Sequence, residues 1–365
     1  MAINKKEWNE FVSNSKWGDI LQFVEWANVK KQFGWNIAYI TSDDKVVRSI
    51  VFIKSIPFWG RLCYIPHGPV FHSKTDLKKS IFSWRDNLVK FARSVDAFAI
   101  DIEPKIADSF VLPDDDIHKK NLEYLKYFLD KEILEIFIKA GFYKTGRNMQ
   151  SKYKLLYSLK LKEDELLKLM HKNTRYNVKY AKRKGIVIKK YFPNDDDFNK
   201  KIDQFYDLLK ITQKRTGGYP IRPQKFFRFL LQEFATSKNL ALFEAKFNND
   251  LIAMNISERT KNWSSSFYAG SNRLHSNLKA MYLLRWESIL WAKSYGSAVY
   301  DFWGIVPKSK SHKGYSDHKL SFGGARIDHV GILELPLNKV KATSFNKLIP
   351  FRAKFASIKR SIKLK

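Results

Sequence analysis

Apolar and polar positions along the chain follow two rhythms, one of three to four residues and one of two. Residues 4–14 and 20–34 carry the first rhythm, with Phe23, Trp26 and Val29 recurring on one face, and predict helices. Residues 35–42, 48–56 and 62–71 are β-branched and aromatic runs punctuated by Ser-Asp-Asp, Pro-Phe-Trp-Gly and His-Gly-Pro, and predict strands. A striped helix over 76–95, a buried strand over 97–104 stopped by Pro104, and a helix over 121–142 closing at Gly141 complete the first part. The second part repeats the grammar. A strand over 152–161 precedes one or two helices over 163–185, a strand over 186–192, and helices over 195–217 and 222–237. Strands over 240–248, 250–259 and 263–271 follow, then a helix over 277–296 and strands over 298–305 and 326–336. Two stretches with the same helix and strand order predict an α+β protein built from a duplicated unit.

The length of 365 residues fits two domains of ordinary size, and 44% hydrophobic residues with 15% aromatics supply packed cores. The single cysteine, Cys63, excludes a disulfide framework and suits a reducing compartment. No run resembles a signal peptide or a membrane span, so the expectation is a cytoplasmic protein. The formal charge of +30 changes the picture most, because charge of that size draws polyanions such as nucleic acid, anionic lipid or phosphorylated substrates. Seven of the last 22 residues are basic and none is acidic, a composition that fits a helix lying on an anionic membrane or a solvated end.

Familiar catalytic motifs are absent: there is no Gly-x-Ser-x-Gly, His-Glu-x-x-His, Walker lysine or Cys-x-x-Cys. The eight histidines are scattered, so no metal site is expected; no cofactor is expected either. The pattern also fits the acetyltransferase-like fold, whose acyl-CoA loop opens a helix. The nearest match, residues 320–325, lacks that loop's leading basic residue and runs into a predicted strand. The helix around residues 172–184 gathers Arg175, Lys179, Lys182 and Arg183 at spacings of three and four, with Tyr176 and Tyr180 between them. Such a face is either a solvated surface or a track for RNA.

The stretches QFVEWANVKKQFGW, YIPHGPVF, IEP, TRYNVKYAKRKG, SSFYAGSN, LLRWESILWAKSYGSAVYDFWGI and HKLSFGG fall in one order. In that order the chain resembles, over roughly residues 5–335, the Fem (FemABX) family of bacterial transferases. The resemblance implies transfer of an amino acid from aminoacyl-tRNA to the stem-peptide amine of a peptidoglycan precursor, nucleotide-linked or lipid-linked. It also implies two acetyltransferase-like (GNAT-like) domains, 1–155 completed by 326–365, and 156–325. Residues 196–236 leave no room for the inserted helical arm of longer members, and a monomer is expected. Carried over by position, Lys30, Arg222 and Tyr268 hold the precursor's phosphates, a pairing of ammonium, guanidinium and hydroxyl suited to that group. A further family tyrosine falls on Phe226, which donates no hydrogen bond. Glu103 falls where the family keeps a carboxylate near the acceptor amine. Lys319 falls on the lysine expected to meet the developing oxyanion, and His318 replaces the aromatic before it, facing the tRNA end. Gly323 and Gly324 are expected to let substrate approach closely. Two rivals stay open at this point: an acyl-CoA-dependent N-acyltransferase of the same fold, and a non-catalytic basic binding protein.

Overall fold

The computed structural model describes residues 3–72, 76–216, 220–306 and 313–348; most of the basic C-terminal stretch therefore lies outside the described residues. The fold is α+β, as the alternating rhythms predict, and is built on two sheets. The first runs in the order Asn36–Thr41, Val47–Ile56, Gly60–Pro66, Ala97–Glu103, Leu333–Pro336, Tyr143–Lys144, with Val70–Phe71 pairing off Val47–Ile56. The second runs Ala107–Val111, Ala325–His329, Tyr153–Ser158, Val299–Gly304, Trp263–Ser271, Asp250–Arg259, Leu240–Phe247, Val187–Tyr191.

The duplicated unit is visible in the pairing. In each sheet three antiparallel strands lead through a helix to a fourth strand that pairs in parallel with the third. The connecting helices are Leu77–Ser94 and Ala280–Ser294. The first buries Ile81, Trp84, Leu88 and Ala92, the stripe its spacing dictates. The second is buried on nearly all sides, so its pattern carries little periodicity.

Several elements depart from the sequence reading, each for a local reason. The helix expected over 121–142 is broken, because Asp130 caps a new helix, Lys131–Lys139, by accepting from the Ile133 amide at 3.1 Å. Residues 163–185 form two helices, Glu163–Leu169 and Lys172–Arg183. The run 326–336 divides into two strands that enter different sheets, with Gly331 at φ +74 in the turn between them. Ala107–Val111 is a further strand that the pattern did not announce. Among the described residues no coiled-coil arm is present; helices Phe198–Arg215 and Gln224–Glu233 instead pack back onto the core.

One apolar core crosses between the halves. It joins Trp8, Phe23, Trp26 and Phe52 to Phe205, Phe226, Phe227 and Phe267. Burial of this kind is worth about 25 cal/mol per Å² of apolar surface. The two sheets are thereby held as walls of a single cleft.

Candidate functional site

A cavity of about 1050 Å³ opens between the two sheets, bordered by residues of both. Helix Val24–Lys31 brings Lys30 to it in its last turn, strand Trp263–Ser271 brings Tyr268, and the segment leading into helix Gln224–Glu233 brings Arg222. The Lys30 ammonium lies 4.8 Å from the Trp35 ring centre. Burial, reinforced by the nearby charges of Arg222 and Lys54, lowers the Lys30 pKa to about 8. Burial raises Tyr268, and the Arg222 guanidinium beside it opposes that rise. The three residues expected to hold phosphate are thus neighbours on one wall. Phe226 is not on that wall but under it, 1% exposed, with the Arg222 guanidinium 5.3 Å above its ring and Tyr268 packed at 6.2 Å. Its contribution is an apolar floor that props the arginine and tyrosine.

Lys319 and His318 reach the same cavity from helix Lys313–Leu320. Lys319 is 2% exposed; its Nζ donates to the Gly304 carbonyl at 2.8 Å and contacts the Tyr315 hydroxyl. Burial, then the Arg285 charge, pushes its pKa well below the ordinary lysine value. His318 is lowered to about 3 by burial, Arg285 and Lys319, so its ring is neutral, and it packs edge-on to Tyr282. Gly323 and Gly324 do not face the cavity. A Cβ at Gly323 would strike the Leu169 carbonyl, and one at Gly324 the Leu156 carbonyl and the Tyr157 ring. Both sit at positive φ, so glycine is required there by the turn and its packing rather than by a substrate.

Glu103 stands one layer behind the cavity. Its carboxylate accepts from the Tyr64 hydroxyl at 2.6 Å and from the Met149 and Gln150 amides at 3.1 and 2.9 Å. Burial raises its pKa against those hydrogen bonds. Tyr64, Met149 and Gln150 all line the cavity, so Glu103 is joined to its wall through them rather than exposed in it.

Behind Lys319 a set of buried charges fixes the wall. Asp301 pairs with Lys154 at 2.8 Å and with its other oxygen accepts from the Trp303 amide at 2.7 Å. That contact holds Trp303 at φ +61, in a bulge of the strand that turns the Gly304 carbonyl toward Lys319. Trp303 and Trp26 border the cavity, whereas Trp286 and Trp291 are core. Deeper still, Lys105 donates to the Gly18 carbonyl at 2.9 Å and lies 3.4 Å from Asp19. Burial, against the pull of Asp19, lowers Lys105 to about 8.

The basic helix face is split in use. Arg175 turns inward to the Leu167, Lys168 and Met170 carbonyls at the end of the preceding helix. Lys179, Lys182 and Arg183 are exposed, and Tyr176 stacks on Tyr180 at 5.7 Å. A second hollow of about 680 Å³ lies at the start of this helix and shares Gly314 and His318 with the main cavity. Among the described residues no cluster of His, Cys, Asp and Glu is arranged to hold a metal, and no helix is long and apolar enough to cross a membrane. Sequence reasoning missed Arg285, which lines the cavity; it sits in a helix whose many large apolar residues read as core.

Comparison with known proteins follows the same lines. The chain is 25% identical over 255 residues to the lipid II:glycine glycyltransferase of Staphylococcus aureus (strain MRSA252), a match covering 68% of this chain and 55% of that protein. The chain therefore spans about half the length of that relative. The crystal structure of FemX superposes with a TM-score of 0.79 at 17% identity, covering 95% of this chain and 99% of FemX. The C-terminal domain of a putative lysylphosphatidylglycerol synthetase from Agrobacterium fabrum superposes at 0.55 and 11% identity, over 95% of this chain and 97% of that one. These two are likenesses of fold. The sequence pattern of the FemAB family matches residues 3–263 and 252–348, and on that match the chain belongs to the FemAB family.

Proposed function

We propose that the protein is an aminoacyltransferase that moves an amino acid from aminoacyl-tRNA to the stem-peptide amine of a peptidoglycan precursor. The observation that carries this reading is one cavity lined by both the Lys30–Arg222–Tyr268 group and Lys319. Its volume, about 1050 Å³, reaches the upper end of ordinary ligand pockets, as a site for two joined substrates requires. Family membership and the glycyltransferase relative support the same chemistry.

The roles follow from the geometry. Arg222 grips a precursor phosphate with a fork of donors, Lys30 adds a point charge, and Tyr268 adds a hydroxyl. The attacking amine adds to the ester carbonyl, the carbonyl oxygen gains negative charge, and the ester oxygen leaves with a proton as the ribose hydroxyl. Without substrate, burial favours the neutral amine of Lys319. A developing oxyanion reverses that balance, so Lys319 takes the proton shed by the attacking amine, carries positive charge beside the oxyanion, and passes that proton to the departing ribose oxygen. Glu103 holds Tyr64 and the Met149–Gln150 backbone in place as the wall against which the acceptor amine is positioned. The exposed Lys179, Lys182 and Arg183 contribute salt-sensitive attraction for the acceptor arm of tRNA.

The test is turnover of purified protein with a panel of charged tRNAs, using nucleotide-linked and lipid-linked precursors in parallel. Product that appears with one charged tRNA and vanishes after RNase treatment is expected. Product formed from acyl-CoA, with none from any charged tRNA, would overturn the proposal in favour of a CoA-dependent acyltransferase.

A further inference from the structure

Arg285 is a charge without a counterion. It projects from helix Ala280–Ser294, is 5% exposed, and lines the main cavity beside His318 and Lys319. Its Nε and Nη1 have no hydrogen-bond partner, and no carboxylate pairs with it among the described residues. Residues outside the described set cannot supply a side-chain carboxylate, since they include neither aspartate nor glutamate. Its contact with the Phe302 ring, at 5.5 Å, is a weak substitute for the water it has lost. Arginine does not shed its proton when buried, and a buried, unpaired cation is costly. Such a group persists where a ligand completes it.

Its neighbours share the same incompleteness. The His318 Nε2 also lacks a partner, and Lys319 is anchored to Gly304 with its Nζ at the same cavity. Arg285 is the largest charge influence after burial on both His318 and Lys319, which places the three groups close together.

We infer that Arg285, with Lys319 and His318, forms a second anion-binding subsite, separate from Lys30, Arg222 and Tyr268, which takes an oxyanionic group of a substrate. The inference rests on the proposed function for the candidate anions: a carboxylate of the stem peptide, or a phosphodiester near the 3′ end of the RNA. Both offer paired oxygens to a guanidinium fork. Arg285 thus fixes a substrate group next to Lys319, and the bound anion compensates the Arg285 charge.

Inorganic phosphate is the first probe, titrated calorimetrically at constant ionic strength into the full chain. The wild type should show two phosphate sites, Arg222→Gln one, Arg285→Gln the other, and the double variant none. Arginine Nε resonances of the wild type, assigned with Arg285→Lys, should show the Arg285 signal moving during the titration; this readout survives if Arg285→Gln folds poorly. An unmoved Arg285 signal overturns the subsite, as does unchanged stoichiometry in a folded Arg285→Gln protein. Neither readout requires aminoacyl transfer, so a positive titration with no turnover would sink the proposed function and leave the subsite standing. The anion's source follows from two substrate pairs: a nucleotide-linked precursor with a free or amidated stem carboxylate, and a CCA-ended RNA hairpin with a native or methylphosphonate terminal linkage. Arg285→Gln should weaken binding of one charged form tenfold or more and leave its neutral analogue unaffected. Equal affinities of wild type and variant for every ligand would refute the inference.

Discussion

In its proposed role of holding phosphate, the Lys30 ammonium gives precursor binding a built-in pH dependence. With its pKa lowered to about 8 by burial, Arg222 and Lys54, Lys30 is half neutral near pH 8 in the free protein. A bound phosphate restores the ordinary preference for the ammonium, so the complex keeps the proton that the free protein has lost. Precursor affinity should therefore fall as pH rises through about 8, weakening about tenfold for each further pH unit until the bound-state pKa is reached. Binding at pH 8 should take up about half a proton. Both quantities are measurable: affinity by quenching of Trp35, which lies against Lys30, and proton uptake by calorimetry in buffers of different ionisation enthalpy. Two substitutions sharpen the test. Lys30→Arg keeps its charge throughout and should flatten the profile. Arg222→Gln removes the second cause of the depression, so its weaker binding should lose affinity only at higher pH. The sign for stability is the reverse of binding. The folded protein binds fewer protons at Lys30 than the unfolded chain between about pH 8 and the ordinary lysine value, so this residue's contribution to stability grows as pH rises through that window. Precursor affinity that stays constant from pH 7 to 9.5 in the wild type, with no proton uptake, would refute the assignment of Lys30 to the phosphate.

Three further outcomes are expected. Lys319→Met should lower kcat by about 10²–10³ with saturating substrates; a folded variant with wild-type kcat would remove Lys319 from the chemistry. Lys154→Met leaves Asp301 buried without its partner and should cost about 3–5 kcal/mol in denaturant unfolding, part of it recovered by adding Asp301→Asn; unchanged midpoints would show the pair to be incidental. Deleting residues 349–365 should weaken sedimentation with anionic vesicles, by on the order of 1 kcal/mol per basic residue at low salt, with soluble-precursor turnover intact; equal sedimentation would assign no membrane role to that stretch.

Local rhythm and composition made the α+β class, the duplicated unit and most elements legible. Leu77–Ser94 and the strands from Leu240 to Ser271 lie close to where their patterns put them. Lys30, Arg222, Tyr268 and Lys319 could be singled out only through a resemblance, since each alone is one basic or aromatic residue among many. Strand partnership was not legible. Val330 and Ile332 look like the middle of one strand, yet the backbone turns at Gly331 between two sheets whose partner strands lie far away in sequence. Arg285 was hidden for the opposite reason: it sits between Leu284 and Trp286 in a helix rich in large apolar residues, so its helix reads as core although Arg285 faces the cavity.

The crossing strands bear on how substrates enter. Only Pro104, Lys105 and Ile106 separate Glu103 in the first sheet from Ala107 in the second, and only Val330, Gly331 and Ile332 separate His329 from Leu333 on the way back. Three residues reach at most about 10–14 Å even when extended, and Lys105 is further pinned by its bond to Gly18. Two such short tethers, side by side, work as a stitched seam. Unlike two domains on one flexible linker, the halves are joined at two adjacent points, which restricts how far they can part. Shifts of side chains and of the segments at the rim are then the less restricted route into the cavity, and the seam favours a constant spacing between Lys30 of the first half and Lys319 of the second.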